Sequence, residues 1–129
     1  MINEERMSPR GPDPVAAYPH ARLVGDWLFI SGIGPHRQGE TALPATFDDE
    51  VRGVFTNLGI ILEDCGSGWE GVVDVTGFLT DLDTDFAAYN RIYAEYLGHV
   101  RPARTTIQVS ALPRGIHVEL KVIAIARSV

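Results

Sequence analysis

Cysteine is all but missing from this chain. Cys65 stands alone, which excludes an internal disulfide and any zinc site built on paired thiolates. It falls on the apolar stripe of an expected helix, where a small buried hydrophobe is the simplest reading. Long apolar runs are missing as well. No segment approaches the run of about eighteen apolar residues that a membrane span requires, and the opening "MINEERMSPRGPDP" has no apolar core of the kind a signal peptide carries. The expectation is a cytoplasmic protein with no membrane partner. Positive charge is scarce, with 11 Lys and Arg against 17 Asp and Glu and a net charge of −6. Affinity for a phosphate backbone comes from clustered cations that release counterions, and the few here are scattered, so no nucleic-acid partner is expected. There is no Gly-rich phosphate loop and no G-x-S-x-G elbow.

What is present fits one globular domain, since 129 residues at 45% hydrophobic suffice to bury a core. Residues 1–14 hold three prolines and no periodicity, and read as a flexible or draped arm ahead of a single domain over 15–129. "HARLVGDWLFISG" reads as two strands about a turn at Gly25-Asp26. Thr46 can cap a helix whose first turn holds Asp48, Asp49 and Glu50; Val51, Val54, Phe55, Leu58, Ile61, Leu62 and Cys65 recur at helical spacing up to Gly66. "GVVDVTGFLT" alternates as a strand. A second helix is expected from Asp83 or Thr84, with Phe86, Tyr89, Tyr93, Tyr96 and Leu97 inward.

The last two strands carry the chemistry. In "ARTTIQVSA", Thr105, Ile107 and Val109 share one face, and Arg104, Thr106 and Gln108 the other. In "IHVELKVIAIA", Ile116, Val118, Leu120 and Val122 oppose His117, Glu119 and Lys121. "LPRG" links them, so antiparallel pairing is expected, with Arg104 and Glu119 on one side of the sheet. The order β-β-α-β-α-β-β makes an α+β layer with both helices on one face. On the other face the pattern leaves Trp27 or Leu28, Phe78, Ile123 and Ile125, a mixed surface that suggests packing between subunits.

"RPARTTIQVSALPRGIHVELKVIAIA" resembles the closing motif of the Rid (YjgF) family of reactive intermediate deaminases: Pro-Ala-Arg-(Ser/Thr), a strand, Leu-Pro, then a strand with an acidic residue and an Ala-rich end. "YPHARLVGDWLFISG", "TNLGIILEDCG" and "VVDVTGFLTDLDTDFAAYNRIYAEYL" resemble other family segments in the same order, covering about residues 15 to 127. The resemblance implies a chorismate-mutase-like fold, a homotrimer with a pocket at each subunit cleft, and hydrolysis of carboxylate-bearing enamines or imines without metal or cofactor. It places the family's carboxylate-binding arginine on Arg104, its acid on Glu119, its pocket tyrosine on Tyr18, its strand-end serine on Ser31 beside Gly32, and a helix asparagine on Asn90. Many members carry cysteine where this chain has Thr106, which weakens any thiol mechanism and leaves deamination untouched. "ARTT" and "VELKVIA" also resemble members assigned as 2-aminomuconate deaminases.

Each residue also has a plainer reading. Arg104 is equally a strand-end salt bridge, Glu119 a solvated strand residue, Ser31 and Gly32 a turn, Tyr18 ordinary packing. Arg101 reads as surface charge. "HVE" matches part of a zinc-deaminase motif, but a single cysteine cannot complete it, and His20, His36 and His99 read as surface histidines. A dicarboxylate would need a second cation, from among His20, Arg22, Arg37 and Arg114. A non-catalytic trimer that binds small carboxylates or acts as a chaperone, and a ribonuclease, are the competing functions; the acidic balance disfavours the last.

Overall fold

A computed structural model of the protein describes residues 1–126; the last three residues of the expected 15–129 domain lie outside them. The elements run β1 (Asn3–Arg6), β2 (Ala21–Val24), β3 (Trp27–Ile33), α1 (Phe47–Asp64), β4 (Val72–Leu79), α2 (Leu82–Leu97), β5 (Ala103–Gln108) and β6 (Val118–Ile125). The six strands form one sheet in the order β1-β2-β3-β6-β4-β5, with both helices on one face. This is the expected α+β fold, with β1 as an added edge strand. No helix among the described residues is long and apolar enough to cross a membrane.

Local signals explain most boundaries. Thr46 caps α1, its hydroxyl accepting the Asp49 N–H at 3.1 Å. Gly66 leaves the helix at φ 94°, a left-handed conformation that favours glycine. Gly25, at φ 59°, makes the β2–β3 turn. Asp81 caps α2 through the Thr84 N–H, so that helix begins one or two residues earlier than its periodicity suggests. The core lies between helices and sheet, and the largest fully buried side chains include Phe55, Leu58, Leu62, Tyr89, Ile92, Leu97 and Leu120.

The N-terminal segment has no sequence periodicity, yet Asn3–Arg6 pair antiparallel with β2. Polar side chains suit an edge strand, which needs backbone bonds and no apolar face. Farther along, Asp64 of α1 accepts from the Ser8 hydroxyl at 2.7 Å and from the Arg10 guanidinium. The Arg10 guanidinium holds the Asp64 carboxyl below its ordinary pKa against the opposing effect of burial.

The expected antiparallel pairing of the last two strands does not occur. β5 pairs parallel with β4, β6 runs antiparallel to β4 on its other side, and β4 therefore separates them. The β4–α2–β5 stretch is a crossover unit, and a parallel neighbour is what a helix-length connection produces. The link that contains "LPRG" carries the chain past the C-terminal end of β4, where Val109 and His117 bond to Leu79 and Thr80, into the gap beside β3.

Candidate active site

That insertion corrects the most consequential expectation, the shared face of Arg104 and Glu119. In register, Arg104 lies beside Val75, and Val75 beside Val122, on the helix-covered face. Glu119 lies beside Phe78, and Phe78 beside Ile107, on the open face. Within one subunit the two residues look in opposite directions. The alternation in β5 was correctly split but assigned to the wrong sides: Ile107 is 41% exposed on the open face, whereas Arg104 covers aromatic rings. Its guanidinium carbon is 4.5 Å from the ring centroid of Tyr93, 5.0 Å from Tyr89 and 5.7 Å from Phe86. A guanidinium stacks on such rings without losing its hydrogen-bonding edge, so a charged residue occupies a helix-facing position that patterning reserves for an apolar one.

Around Arg104 three of the seven candidates meet. Its Nε donates to Thr106 Oγ1 at 3.0 Å, and one terminal nitrogen donates to Asn90 Oδ1. The other terminal nitrogen has no partner among the described residues, and no carboxylate pairs with this arginine there, so the salt-bridge reading finds no support. Burial raises the pKa of the Tyr89 and Tyr93 hydroxyls beneath it, and neither hydroxyl has a hydrogen-bond partner among the described residues. The aromatic seat at 86, 89 and 93 had been read only as core. Its spacing of three and four beside a strand arginine was the available signal. Tyr89 in turn depends on Gly77, where an added Cβ would sit 2.5 Å from its hydroxyl. Gly77→Ala is expected to destabilise the protein by about 1–3 kcal/mol through overpacking, measurable by denaturant unfolding.

The other four candidates line a cavity of about 290 Å3: Tyr18, Ser31, Gly32 and Glu119, together with arm residues Pro12 to Ala16 and with Arg114 and Ile116. The β3–β6 ladder shifts register between Ile30 and Ile33, a bulge of the kind that re-aims side chains at functional sites. There Gly32 passes so close to Glu119 that a Cβ would stand 2.8 Å from its Oε2. Glu119 is half-buried, and loss of solvent raises its carboxyl pKa above the ordinary carboxylate range. The Ser31 hydroxyl donates to the Pro19 carbonyl at 2.7 Å, which leaves its lone pairs free to accept.

His20 and His36, expected at the surface, are buried. His20 Nδ1 accepts the Ser8 N–H at 2.9 Å and Nε2 lies 2.6 Å from the Pro12 carbonyl, so a neutral ring with its proton on Nε2 satisfies both and anchors the arm beside the cavity. His117 precedes β6 and turns toward α1, away from Glu119. Among the described residues no cluster of three or more His, Cys, Asp or Glu is placed to hold a metal ion.

The open face carries Trp27, Phe29, Ile107 and Ile125, each between 39% and 46% exposed, and exposed large apolar side chains on one sheet face suit packing between subunits. Trp27, rather than Leu28, is the residue on that side.

Comparison with known proteins accords with this fold. The family model described as Endoribonuclease L-PSP matches residues 9–126. A RutC family protein of Pyrococcus abyssi is 35% identical over 126 residues, covering 96% of this chain and 98% of its own. A 2-iminobutanoate/2-iminopropanoate deaminase of Capra hircus is 35% identical over 117 residues, covering 90% and 85%. Among solved structures, RidA of an Antarctic Psychrobacter superposes with a TM-score of 0.89 at 33% identity, covering 95% and 98%. TdcF of E. coli, crystallised with bound serine, gives 0.88 at 28% identity, covering 97% and 99%.

Proposed function

Because the chain belongs to the Rid (YjgF) family, whose named relatives include imine deaminases, we propose that it hydrolyses carboxylate-bearing imines or enamines at a site completed between subunits of a homotrimer. The observation that carries this reading is the sorting of seven residues into two incomplete halves. One half holds an arginine with a free hydrogen-bonding edge and no acid. The other holds a partly desolvated carboxyl with no cation bonded to it among the described residues. Closed symmetry brings different patches of identical chains together around each interface, and the exposed apolar sheet face is the surface such packing would cover.

In that cleft Arg104 of one subunit binds the substrate carboxylate, steadied by Asn90, Thr106 and the aromatic seat. Glu119 of the next takes a proton from water as the water oxygen bonds to the electrophilic iminium carbon. The resulting carbinolamine receives that proton on nitrogen, the C–N bond breaks while the Glu119 carboxylate takes the hydroxyl proton and the carbonyl forms, and the released ammonia carries that proton away as ammonium. Ser31, with its proton committed to Pro19, accepts from the N–H of the iminium or the departing amine. Gly32 supplies backbone at close range, and Tyr18 borders the mouth.

The narrower reading is a dicarboxylate such as 2-aminomuconate, which requires a second cation. His20 has both nitrogens engaged by backbone, and Arg22 donates to Asn3 at the β1 edge. Arg114 is better placed: it lines the Glu119 cavity, makes no salt bridge among the described residues, and has only a 3.4 Å contact to the Glu40 carbonyl. Ammonia release from 2-iminobutanoate and 2-aminomuconate, each generated in situ, tests both levels. Arg114→Ala is expected to raise KM for the dicarboxylate roughly tenfold, the value of about one exposed charge-assisted contact, and leave that for the monocarboxylate unchanged. Equal KM shifts would remove the narrower reading, and no ammonia from either substrate the broader one.

A further inference from the structure

Glu50 is one of three acids in the first turn of α1, where the dipole favours negative charge. It is only 2% exposed, and both its oxygens are occupied by one residue. Oε2 accepts the His117 backbone N–H at 2.6 Å, and Oε1 lies 2.8 Å from His117 Nδ1. A carboxylate so deeply buried is stable only when its lone pairs are met, and here His117 meets them twice. The His117 carbonyl is held as well, by the Thr80 N–H at 3.2 Å. The main chain at His117 is thus fixed on both sides just before β6 begins.

The segment leading into this point needs such a hold. Arg114 and Gly115 adopt φ of 64° and 70°, and the left-handed conformation is unfavourable for an arginine. Ile116 then packs over Gly34, where an added Cβ would meet its Cδ1 at 3.1 Å. Two residues beyond His117, Glu119 stands over Gly32 in the cavity. Arg114, Ile116 and Glu119 all line that cavity, and His117 is the tether between them and α1.

We propose that Glu50 and His117 form a clamp that positions Glu119: Glu50 never touches substrate, but holds the start of β6 so that the Glu119 carboxyl meets the reacting carbon and its water. This rests on the deaminase reading of Glu119. The titratable groups that share the cavity or strand with Glu119 are Asp13, Tyr18, His20, His36, Arg114 and Lys121, and none of them bonds to Glu50; the charged group that faces the clamp from α2 is Asp85, which interacts with both Glu50 and His117.

The test compares Glu50→Ala, Glu50→Gln and His117→Ala by kcat, KM and the acidic limb of the kcat–pH profile. Displacement of a catalytic group by a fraction of an ångström to an ångström costs on the order of tenfold to a hundredfold. Glu50→Ala is therefore expected to lose that much in kcat, with KM nearly unchanged and the acidic limb displaced. Glu50→Gln is expected to recover most of kcat, since its carbonyl accepts the His117 N–H and its amide donates to the other imidazole tautomer. A lower melting temperature with wild-type kcat and limb overturns the clamp. Where Glu50→Ala does not fold, His117→Ala, which keeps the backbone bond, decides: a displaced limb supports the clamp and an unaltered limb and kcat overturn it. Glu119→Gln run alongside separates the two levels. Undiminished turnover there overturns the role of Glu119 as the base and the clamp with it; lost turnover there beside wild-type Glu50→Ala kinetics overturns the clamp alone.

Discussion

Co-assembly of Arg104→Ala subunits with Glu119→Gln subunits, each nearly inactive by itself, is expected to restore about one quarter of wild-type ammonia release. Arg104→Ala alone should lose on the order of a hundredfold or more in kcat/KM, because two charge-assisted hydrogen bonds to a carboxylate, each worth about 1.5–3 kcal/mol, disappear together. In a mixed trimer, a cleft works when its arginine comes from a Glu119→Gln chain and its glutamate from an Arg104→Ala chain. Each is an even chance at equal mixing, which gives the quarter. Opposite faces of the sheet make this prediction, since Arg104 follows Val75 and Val122 toward the helices and Glu119 follows Phe78 and Ile107 away from them. A site contained within one subunit would give no recovery, because every chain in the mixture carries one lesion. Co-expression with two affinity tags isolates the mixed trimers, in which one cleft of three is intact and the expected activity rises to about one third, and activity that stays at the level of the separate variants would end the inter-subunit reading.

The difference between one face and two is also where sequence reasoning reached its limit. Alternation correctly separated Arg104 from Ile107 and Glu119 from Leu120. Period two, however, says only that neighbours face apart, not which side carries the helices. The usual guide, that apolar residues face the core, failed twice in β5. Ile107 serves an exposed apolar face, and Arg104 finds apolar company in Phe86, Tyr89 and Tyr93. The pairing error had the same root, for a four-residue link such as Leu112 to Gly115 reads as a hairpin until one notices that β6 completes ladders on both sides at once. By contrast, the bounds and apolar stripe of α1 were legible. Thr46, the stripe from Val51 to Cys65, and Gly66 are local signals that tertiary structure did not override. The family resemblance put seven residues at one pocket; within the chain Tyr18, Ser31, Gly32 and Glu119 line one cavity, while Asn90 and Thr106 stay with Arg104. Buried Glu50 was illegible, because a first-turn acid looks the same whether it faces water or a histidine 67 residues away.

Glu119→Gln is expected to lose about 10²–10⁴-fold in kcat, the usual contribution of a general base, and to gain stability at neutral pH. Both follow from one cause. Burial raises the folded-state pKa of this carboxyl, so the fold binds its proton more tightly than the unfolded chain does. Below the unfolded value, about 4.3, both states are protonated and the residue contributes no penalty. As pH rises through the interval up to the raised folded value, the wild type progressively loses stability, and above it the cost of holding a desolvated carboxylate is fully present. Glutamine fills nearly the same volume beside Gly32 without that charge. Thermal melts should therefore coincide near pH 4 and diverge toward pH 7.5, with the variant melting higher. In the proposed trimer Arg104 of the adjoining subunit would approach the same cleft and offset part of the cost, so a saturating carboxylate ligand, by engaging that guanidinium, should widen the gap at pH 7.5. Equal melting temperatures at pH 7.5 with and without ligand would mean that Glu119 is not desolvated in solution, and would remove the physical basis for its role as the base. A stability gain joined to a rate loss is the pattern of a residue kept for chemistry at the expense of the fold, and an ordinary solvated strand glutamate would show neither.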